Sequence, residues 1–274
     1  VPLFVPLCET KNFVKQNKKT MKIALLQTAL HWENPTENIN TLTQKINTIS
    51  ESVDLVVLPE MFTSGFTMNP KNVAQTMDGE ALTWLKQTAQ QKNCAITGSL
   101  VIEENNHFFN RLVFVFPNGE VQHYDKKHLF TLAGEDKVYT PGTQKLIVDY
   151  NGFKICPLIC YDLRFPVFAR NVEDYDLLIY VANWPKPRVN AWDILLKARA
   201  VENMSFVVGV NRVGFDENNH EYVGHSQVVD FLGNYIQDPQ ETDGIFIVEL
   251  NKNQLIETRK KLAFLEDRDA FDLK

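Results

Sequence analysis

The stretch Arg111-Leu-Val-Phe-Val-Phe-Pro-Asn-Gly-Glu-Val-Gln-His-Tyr124 decides how the chain folds. Two β-prone runs, Arg111–Phe116 and Glu120–Tyr124, flank Pro117-Asn118-Gly119. Asn-Gly tolerates the left-handed backbone of a tight turn, so the runs read as an antiparallel hairpin. The device recurs where Lys145–Asp149 and Phe153–Ile159 flank Tyr150-Asn151-Gly152. Elsewhere apolar runs are separated by helical patterns. Met21–Gln27 and Asp54–Leu58 read as strands. Between them Ile39, Leu42, Ile46 and Ile49 fall on one helical face, opened by Asn34 before Pro35. A second helix is expected to begin near Asp78 as its N-cap, with Leu82, Leu85 and Ala89 inward. Cys94–Val101, Asp176–Ala182, Ser205–Val210, Ser226–Phe231 and Ile245–Leu250 read as further strands. Asn190–Asn203 reads as a helix with Trp192, Leu195, Leu196 and Arg199 on one side. Hairpins and crossovers together predict an α/β fold with two mixed sheets packed face to face and helices outside, rather than a simple doubly wound sheet.

The chain has 274 residues, 44% hydrophobic and 23% charged, enough to bury a sizeable core without metal or disulfide. No repeat or linker divides it, so residues 21–274 are expected to form one domain. A net charge of -6 argues against a nucleic-acid partner. No run of 18 apolar residues marks a membrane span. Cys8, Cys94, Cys156 and Cys160 do not space as a disulfide framework, and the last two lack the companions of a zinc site. A cytoplasmic location is expected. No Gly-rich phosphate loop or dinucleotide fingerprint is present. Residues 1–20 carry Lys11, Lys15, Lys18 and Lys19 against Glu9, and Pro2 and Pro6 interrupt their apolar part. Charges that follow a broken apolar run do not make a signal peptide. The segment is expected to be a flexible N-terminal extension, with Met21 as a natural start.

Three polar residues stand at the ends of apolar strands, where α/β folds place ligands. Glu60 follows Leu55-Val-Val-Leu-Pro59, Lys126 follows the strand ending at Tyr124, and Cys160 follows Cys156-Pro-Leu-Ile159. Singly, each has an ordinary reading: a cap, a solvated lysine, a small buried hydrophobe. His128 invites comparison with Cys-His hydrolases, but the adjacent Leu129-Phe130 suggests a packed turn with a structural imidazole.

Three motifs change this balance: Leu58-Pro-Glu60-Met-Phe62, Tyr124-Asp-Lys126-Lys-His-Leu-Phe130 and Leu158-Ile-Cys160-Tyr-Asp-Leu-Arg-Phe-Pro166. With them the chain, from Met21 to about Phe271, resembles the carbon-nitrogen hydrolase (nitrilase) superfamily. The resemblance implies a four-layer α-β-β-α sandwich, extended to eight layers across a homodimer. It implies a Glu60-Lys126-Cys160 triad that needs no cofactor and no metal, and a supporting Glu135 within Gly134-Glu-Asp-Lys-Val-Tyr-Thr-Pro-Gly142. Glu60-Met-Phe-Thr-Ser-Gly-Phe66, Val181-Ala-Asn-Trp-Pro185 with Arg188, and Ala198-Arg-Ala-Val-Glu-Asn203 resemble the omega-amidase branch. That branch hydrolyses the terminal amide of 2-oxoglutaramate and 2-oxosuccinamate. The alternatives are another small-amide or N-carbamoyl hydrolase, and a non-catalytic binding protein on the same scaffold, against which the intact triad argues.

The resemblance assigns the parts. Cys160 would attack the amide carbon, needing help because a free thiol has pKa ~8.5. Glu60 would take its proton, Lys126 would face the oxyanion, and the N–H of Tyr161 would be a second donor. Glu135 would orient Lys126 or meet the substrate nitrogen. Arg188 is the candidate anchor for a substrate carboxylate. Arg164 is expected to pair with an acid and organise local structure. Trp184, Tyr161, Phe62 and Phe66 are expected to line the pocket, and Leu262, Phe264, Leu265 and Phe271 to dock a partner subunit.

Overall fold

A computed structural model describes residues 19–272. Most of the expected N-terminal extension, with Cys8, lies outside the described residues. In chain order the strands are β1 (Thr20–Gln27), β2 (Leu55–Val57), β3 (Ala95–Glu104), β4 (His107–Val115), β5 (Val121–Asp125), β6 (Val148–Tyr150), β7 (Phe153–Ile159), β8 (Leu177–Ala182), β9 (Phe206–Asn211), β10 (Val213–Phe215), β11 (Glu221–Val223), β12 (Ser226–Val229), β13 (Tyr235–Gln240) and β14 (Gly244–Asn251). The helices are α1 (Pro35–Asn47), α2 (Pro70–Val73), α3 (Glu80–Lys92), α4 (Pro166–Ala169), α5 (Val189–Asn203) and α6 (Lys252–Leu262).

The strands form two six-stranded sheets, β14-β1-β2-β3-β4-β5 and β13-β12-β9-β8-β7-β6. Each holds three adjacent parallel strands, β1-β2-β3 and β7-β8-β9, with antiparallel neighbours on both sides. Residue alternation sets the layers. Met21, Ile23 and Leu25 of β1 join Leu55 and Val57 of β2 in the core shared with Ile155, Leu158 and Val208 of the other sheet. Ala24, Leu26, Val56 and Leu58 turn outward against Leu42 and Ile46 of α1 and Leu82 and Leu85 of α3. These strands are therefore buried on both faces, which is why they read as unbroken apolar runs. The result is a four-layer α-β-β-α sandwich, as expected.

Local chemistry fixes the helix starts. Asn34 Oδ1 accepts from Glu37 N at 3.1 Å, and Pro35 begins α1 with its fixed φ. The expected cap at Asp78 is corrected: α3 starts one residue later, with Gly79 as N-cap and no side-chain cap bond of its own. Gln75 Oε1 reaches in instead and accepts from Ala81 N at 2.8 Å. Gly209 lets α5 approach β9, since a Cβ there would lie 2.5 Å from Leu196 and 2.8 Å from Trp192. Near the C-terminus Phe264 and Phe271 are exposed. Among the described residues no helix is long and apolar enough to cross a membrane.

Candidate active site

The carboxyl ends of β2 and β7 meet the end of β5 at one place between the sheets. Glu60 stands three residues past β2, Lys126 directly follows β5, and Cys160 directly follows β7. Two of these exits are tight. Met61 has φ 44° and Cys160 φ 43°, left-handed values that cost a side-chain-bearing residue about 1–2 kcal/mol. At Cys160 the chain leaves the strand as a single 3-10 turn, Cys160–Arg164. Glu135 sits in another short 3-10 turn, which Gly134 enters at φ 76°.

Two carboxylates grip one ammonium. Lys126 Nζ donates to Glu60 Oε1 at 2.9 Å and to Glu135 Oε1 and Oε2 at 3.1 and 3.0 Å. All three side chains are buried. Asn110 Nδ2 bridges the same carboxylates, at 2.9 Å from Glu60 Oε1 and 3.2 Å from Glu135 Oε1. The other oxygens are fixed by main chain: Glu60 Oε2 accepts from Asn183 N at 2.8 Å, and Glu135 Oε2 from Phe130 N at 2.5 Å. Asn183 Nδ2 donates to Glu60 O at 2.7 Å, and its backbone O lies 4.0 Å from Cys160 Sγ.

A buried carboxylate ties the lysine loop to the cysteine turn. Asp162 Oδ1 accepts from His128 N at 3.0 Å and meets His128 Nδ1 at 2.8 Å. Asp162 Oδ2 accepts from Tyr124 OH at 2.7 Å and Ile159 N at 3.0 Å. His128 also stacks on Phe165 with ring centroids 3.8 Å apart. Its imidazole is structural, as expected, and stands apart from the Glu60-Lys126 pair.

Burial and charge set the resting protonation. Burial opposes the Lys126 charge, but Glu135 and Glu60 outweigh it and hold the ammonium above its ordinary range. Burial raises the Glu135 carboxyl; Lys126 pulls it down and Glu60 pushes it up. Burial, then the Glu60 charge, drives the Cys160 thiol well above its usual value, with Lys126 acting the other way. Glu60 and Lys126 thus act on the Cys160 sulfur from the same buried site with opposite sign. A thiol held in this way must lose its proton before or as it attacks an electrophile.

Lys126 and Cys160 lie in a cavity of about 490 Å³. Phe66, Tyr161, Trp184 and Arg188 line it, as expected. Phe66 lies under the ammonium, with Lys126 Nζ 5.2 Å from its centroid. Two expectations are corrected. Phe62 is fully buried in the outer core, 6.0 Å from the Trp84 ring and packed with Leu58, and does not line the cavity. The left-handed Met61 turns the chain back so that Phe62 N donates to Ser99 O of β3 at 3.0 Å, sending the ring outward. Arg164 is drawn to an aromatic face rather than to an acid: its guanidinium stands 4.9 Å over Trp184, at the cavity wall.

The sequence reading missed Asn110, Asn183, Asp162 and the wall made by β10 and β11. That hairpin brings Asp216, Asn218, His220 and Tyr222 to the cavity. Asn183 and Asp162 lay inside quoted motifs, so their positions were visible while their bonds were not. The hairpin had no such signal, because Asp216-Glu-Asn-Asn-His220 reads as an ordinary polar loop.

Comparison with known proteins gives a consistent set of relatives. The family model described as carbon-nitrogen hydrolase matches residues 22–260. Omega-amidase YafV of Escherichia coli strain K12 is 42% identical over 254 residues, covering 92% of this chain and 98% of that protein. The 2-oxoglutaramate amidase of Bacillus subtilis strain 168 is 32% identical over 250 residues, covering 89% and 96%. The crystal structure of XC1258 from Xanthomonas campestris superposes with a TM-score of 0.91 at 40% identity, covering 93% of this chain and 99% of that one. It is a CN-hydrolase superfamily protein with an arsenic adduct in the active site.

Proposed function

The chain belongs to the carbon-nitrogen hydrolase family, and we propose that within it the protein is an omega-amidase that hydrolyses the terminal amide of short 2-oxo dicarboxylic acid monoamides. Its amidase activity follows from the family; the substrate and the residue roles are our reading. The observation that carries the mechanism is the single ammonium of Lys126 held by two buried carboxylates in a cavity shared with Cys160.

The amide carbonyl lies with its carbon at Cys160 Sγ and its oxygen toward Lys126 Nζ. Sulfur attacks as the thiol proton passes to Glu60. The tetrahedral oxyanion is stabilised by Lys126 and by the N–H of Tyr161, the first residue after the nucleophile. One such preorganised donor contributes about 3 kcal/mol. Glu60 returns the proton to the nitrogen, the C–N bond breaks, and ammonia leaves a thioester. Water then loses a proton to Glu60 as it attacks the thioester carbon. The C–S bond breaks, the sulfur regains the proton, and the 2-oxo acid departs. Glu135 keeps Lys126 aimed through both halves. The substrate carboxylate lies toward Arg188, whose guanidinium rests 5.3 Å from the Phe130 centroid.

Support for the substrate comes from relatives named as omega-amidase and 2-oxoglutaramate amidase and from the guanidinium in the cavity wall. The test is ammonia release from 2-oxoglutaramate and 2-oxosuccinamate, with glutamine, asparagine and an N-carbamoyl amino acid in parallel. Fast turnover of the oxo amides alone is expected. Turnover of only the N-carbamoyl compound by folded protein overturns the substrate and leaves the triad chemistry standing.

A further inference from the structure

A buried amide stands in a row of core hydrophobes. On β4 the side chains of Asn110, Leu112 and Phe114 fall on one face, and Leu112 and Phe114 belong to the core between the sheets. Asn110 is buried beside them and does not line the cavity, so it does not meet a substrate. Both of its side-chain N–H groups go to the site: Nδ2 donates to Glu60 Oε1 at 2.9 Å and to Glu135 Oε1 at 3.2 Å. Its Oδ1 is buried with no hydrogen-bond partner among the described residues. Turned the other way, the amide would set its oxygen against two carboxylate oxygens, so the glutamates fix its orientation. An amide kept only for packing gains nothing from a buried idle acceptor, which is costly. The main chain of the same residue holds the lysine from behind, where Lys126 N donates to Asn110 O at 3.0 Å.

The lone pairs of the two carboxylates show what the amide does. Each carboxylate oxygen has room for about two donors. Glu60 Oε1 accepts from Lys126 Nζ and Asn110 Nδ2, both at 2.9 Å. Glu135 Oε1 accepts from the same two groups, at 3.1 and 3.2 Å. Glu135 Oε2 accepts from Lys126 Nζ and Phe130 N. Glu60 Oε2 accepts from Asn183 N at 2.8 Å and, among the described residues, keeps its other lone pair open. Asn183 also borders the sulfur, with its backbone O 4.0 Å from Cys160 Sγ. The open oxygen and the thiol therefore share a neighbour.

We propose that Asn110 is a positioning residue that keeps Glu60 Oε1 and Glu135 Oε1 occupied and so confines proton exchange to Glu60 Oε2. The proposal deepens the amidase reading and rests on it for Glu60 as the base. In the first step the S–H bond breaks, the proton forms an O–H bond at Oε2, and the sulfur electron pair forms the C–S bond. The proton then passes from Oε2 to the substrate nitrogen as the C–N bond breaks. Without the amide, Oε1 opens a second place for the proton. Both glutamates also lose a donor that favours their charged form.

The experiment has two arms. Asn110→Leu removes both donors and the idle acceptor while keeping the shape, and Asn110→Ala leaves room for a water that can donate in place of the amide. With 2-oxoglutaramate, kcat is expected to fall about 10- to 100-fold in the leucine variant with KM nearly unchanged, and by less in the alanine variant. The acid limb of kcat/KM should move up by about one pH unit in the leucine variant, because carboxylates short of a donor take up a proton more readily. A residue that only packs leaves that limb in place, so an unmoved limb in folded enzyme, or a loss carried by KM alone, overturns the proposal. An unfolded leucine variant leaves the comparison to Asn110→Ala, whose limb should move in the same direction. The second arm needs no turnover. Iodoacetamide labelling of Cys160, read by peptide mapping, is followed from about pH 5 to about pH 9. Its acid limb should move with that of kcat/KM. An unmoved labelling profile overturns the role of Asn110 even where oxo amides are hydrolysed. A moved profile without any oxo-amide turnover by the wild type keeps that role and overturns the substrate.

Discussion

Replacing Asp162 by Asn tests whether one buried carboxylate holds the lysine loop and the cysteine turn in register. Four donors converge on it: His128 N, His128 Nδ1, Tyr124 OH and Ile159 N, all between 2.7 and 3.0 Å. Asparagine keeps the shape but turns one oxygen into an NH2 group. In one orientation that group faces His128, and in the other it faces Tyr124 and Ile159. The tyrosine hydroxyl can rotate and the imidazole can change tautomer, but neither backbone N–H can become an acceptor. Each orientation therefore strands one buried backbone donor, at about 1–3 kcal/mol, and the weakened charge-assisted bonds add a similar amount. The expected loss is about 2–6 kcal/mol, a large share of the 5–15 kcal/mol typical of a domain. Urea unfolding followed by circular dichroism measures it. Because Lys126 and Cys160 leave the tied segments, kcat should fall at least about tenfold in the folded variant. His128→Phe removes the Nδ1 partner of the same carboxylate and leaves the backbone N–H in place, so its cost and that of Asp162→Asn should be non-additive by about 0.5–3 kcal/mol. A loss below about 1 kcal/mol with full activity, or strict additivity, refutes the reasoning.

Other consequences follow from the same geometry. Lys126→Met leaves Glu60 and Glu135 buried without their cation, which costs about 3–5 kcal/mol. Burial already raises the Glu135 carboxyl, so the folded state binds its proton more tightly than the unfolded state. That contribution is full below the ordinary carboxylate range and is lost as pH rises through the raised folded value. Without Lys126 the carboxyl rises further, so the Tm deficit of the variant should shrink from about pH 8 to about pH 5; a constant deficit contradicts this. Cys94 and Cys156 are fully buried and neither reaches the cavity, whereas Cys160 lines it. Iodoacetamide at neutral pH, read by peptide mapping, should label Cys160 and leave both unreacted; labelling of Cys156 at the rate of Cys160 contradicts it. Phe62→Ala should cost about 3–5 kcal/mol with little change in KM. Phe66→Ala, beside Lys126, should cost less stability and more kcat/KM, and the reverse order would restore Phe62 to the pocket.

What the sequence disclosed depended on how local each signal was. The Asn118-Gly119 and Asn151-Gly152 turns were legible because their geometry is local: Gly119, Asn151 and Gly152 do carry positive φ values of 85°, 47° and 80°. Strands buried on both faces announced themselves as apolar runs. The β10-β11 hairpin did not, since its place over the cavity depends on remote pairing, such as the bridge of Ala29 with Val213. Helix α6 was missed because its charged surface leaves Leu255 as its buried residue and so no apolar stripe to read. At the site, motifs gave the residue types and their order. They could not say that Phe62, two residues from Glu60, turns into the outer core, because a left-handed Met61 separates the two. Nor could they place Asn110 between two glutamates 75 positions apart in the chain, a contact that exists only once β4 lies beside β5 and the Glu135 turn closes.

The central claim is that Cys160 carries the acyl group of a 2-oxo acid amide. Mixing the enzyme with excess 2-oxoglutaramate, quenching in acid within the first turnovers and mapping the peptides by mass spectrometry reads this directly. A mass gain equal to the oxo acid less water is predicted on the peptide containing Cys160, removed by hydroxylamine and absent from Cys160→Ala, which should release no ammonia. Ammonia release by Cys160→Ala at a rate near that of the wild type would contradict the account.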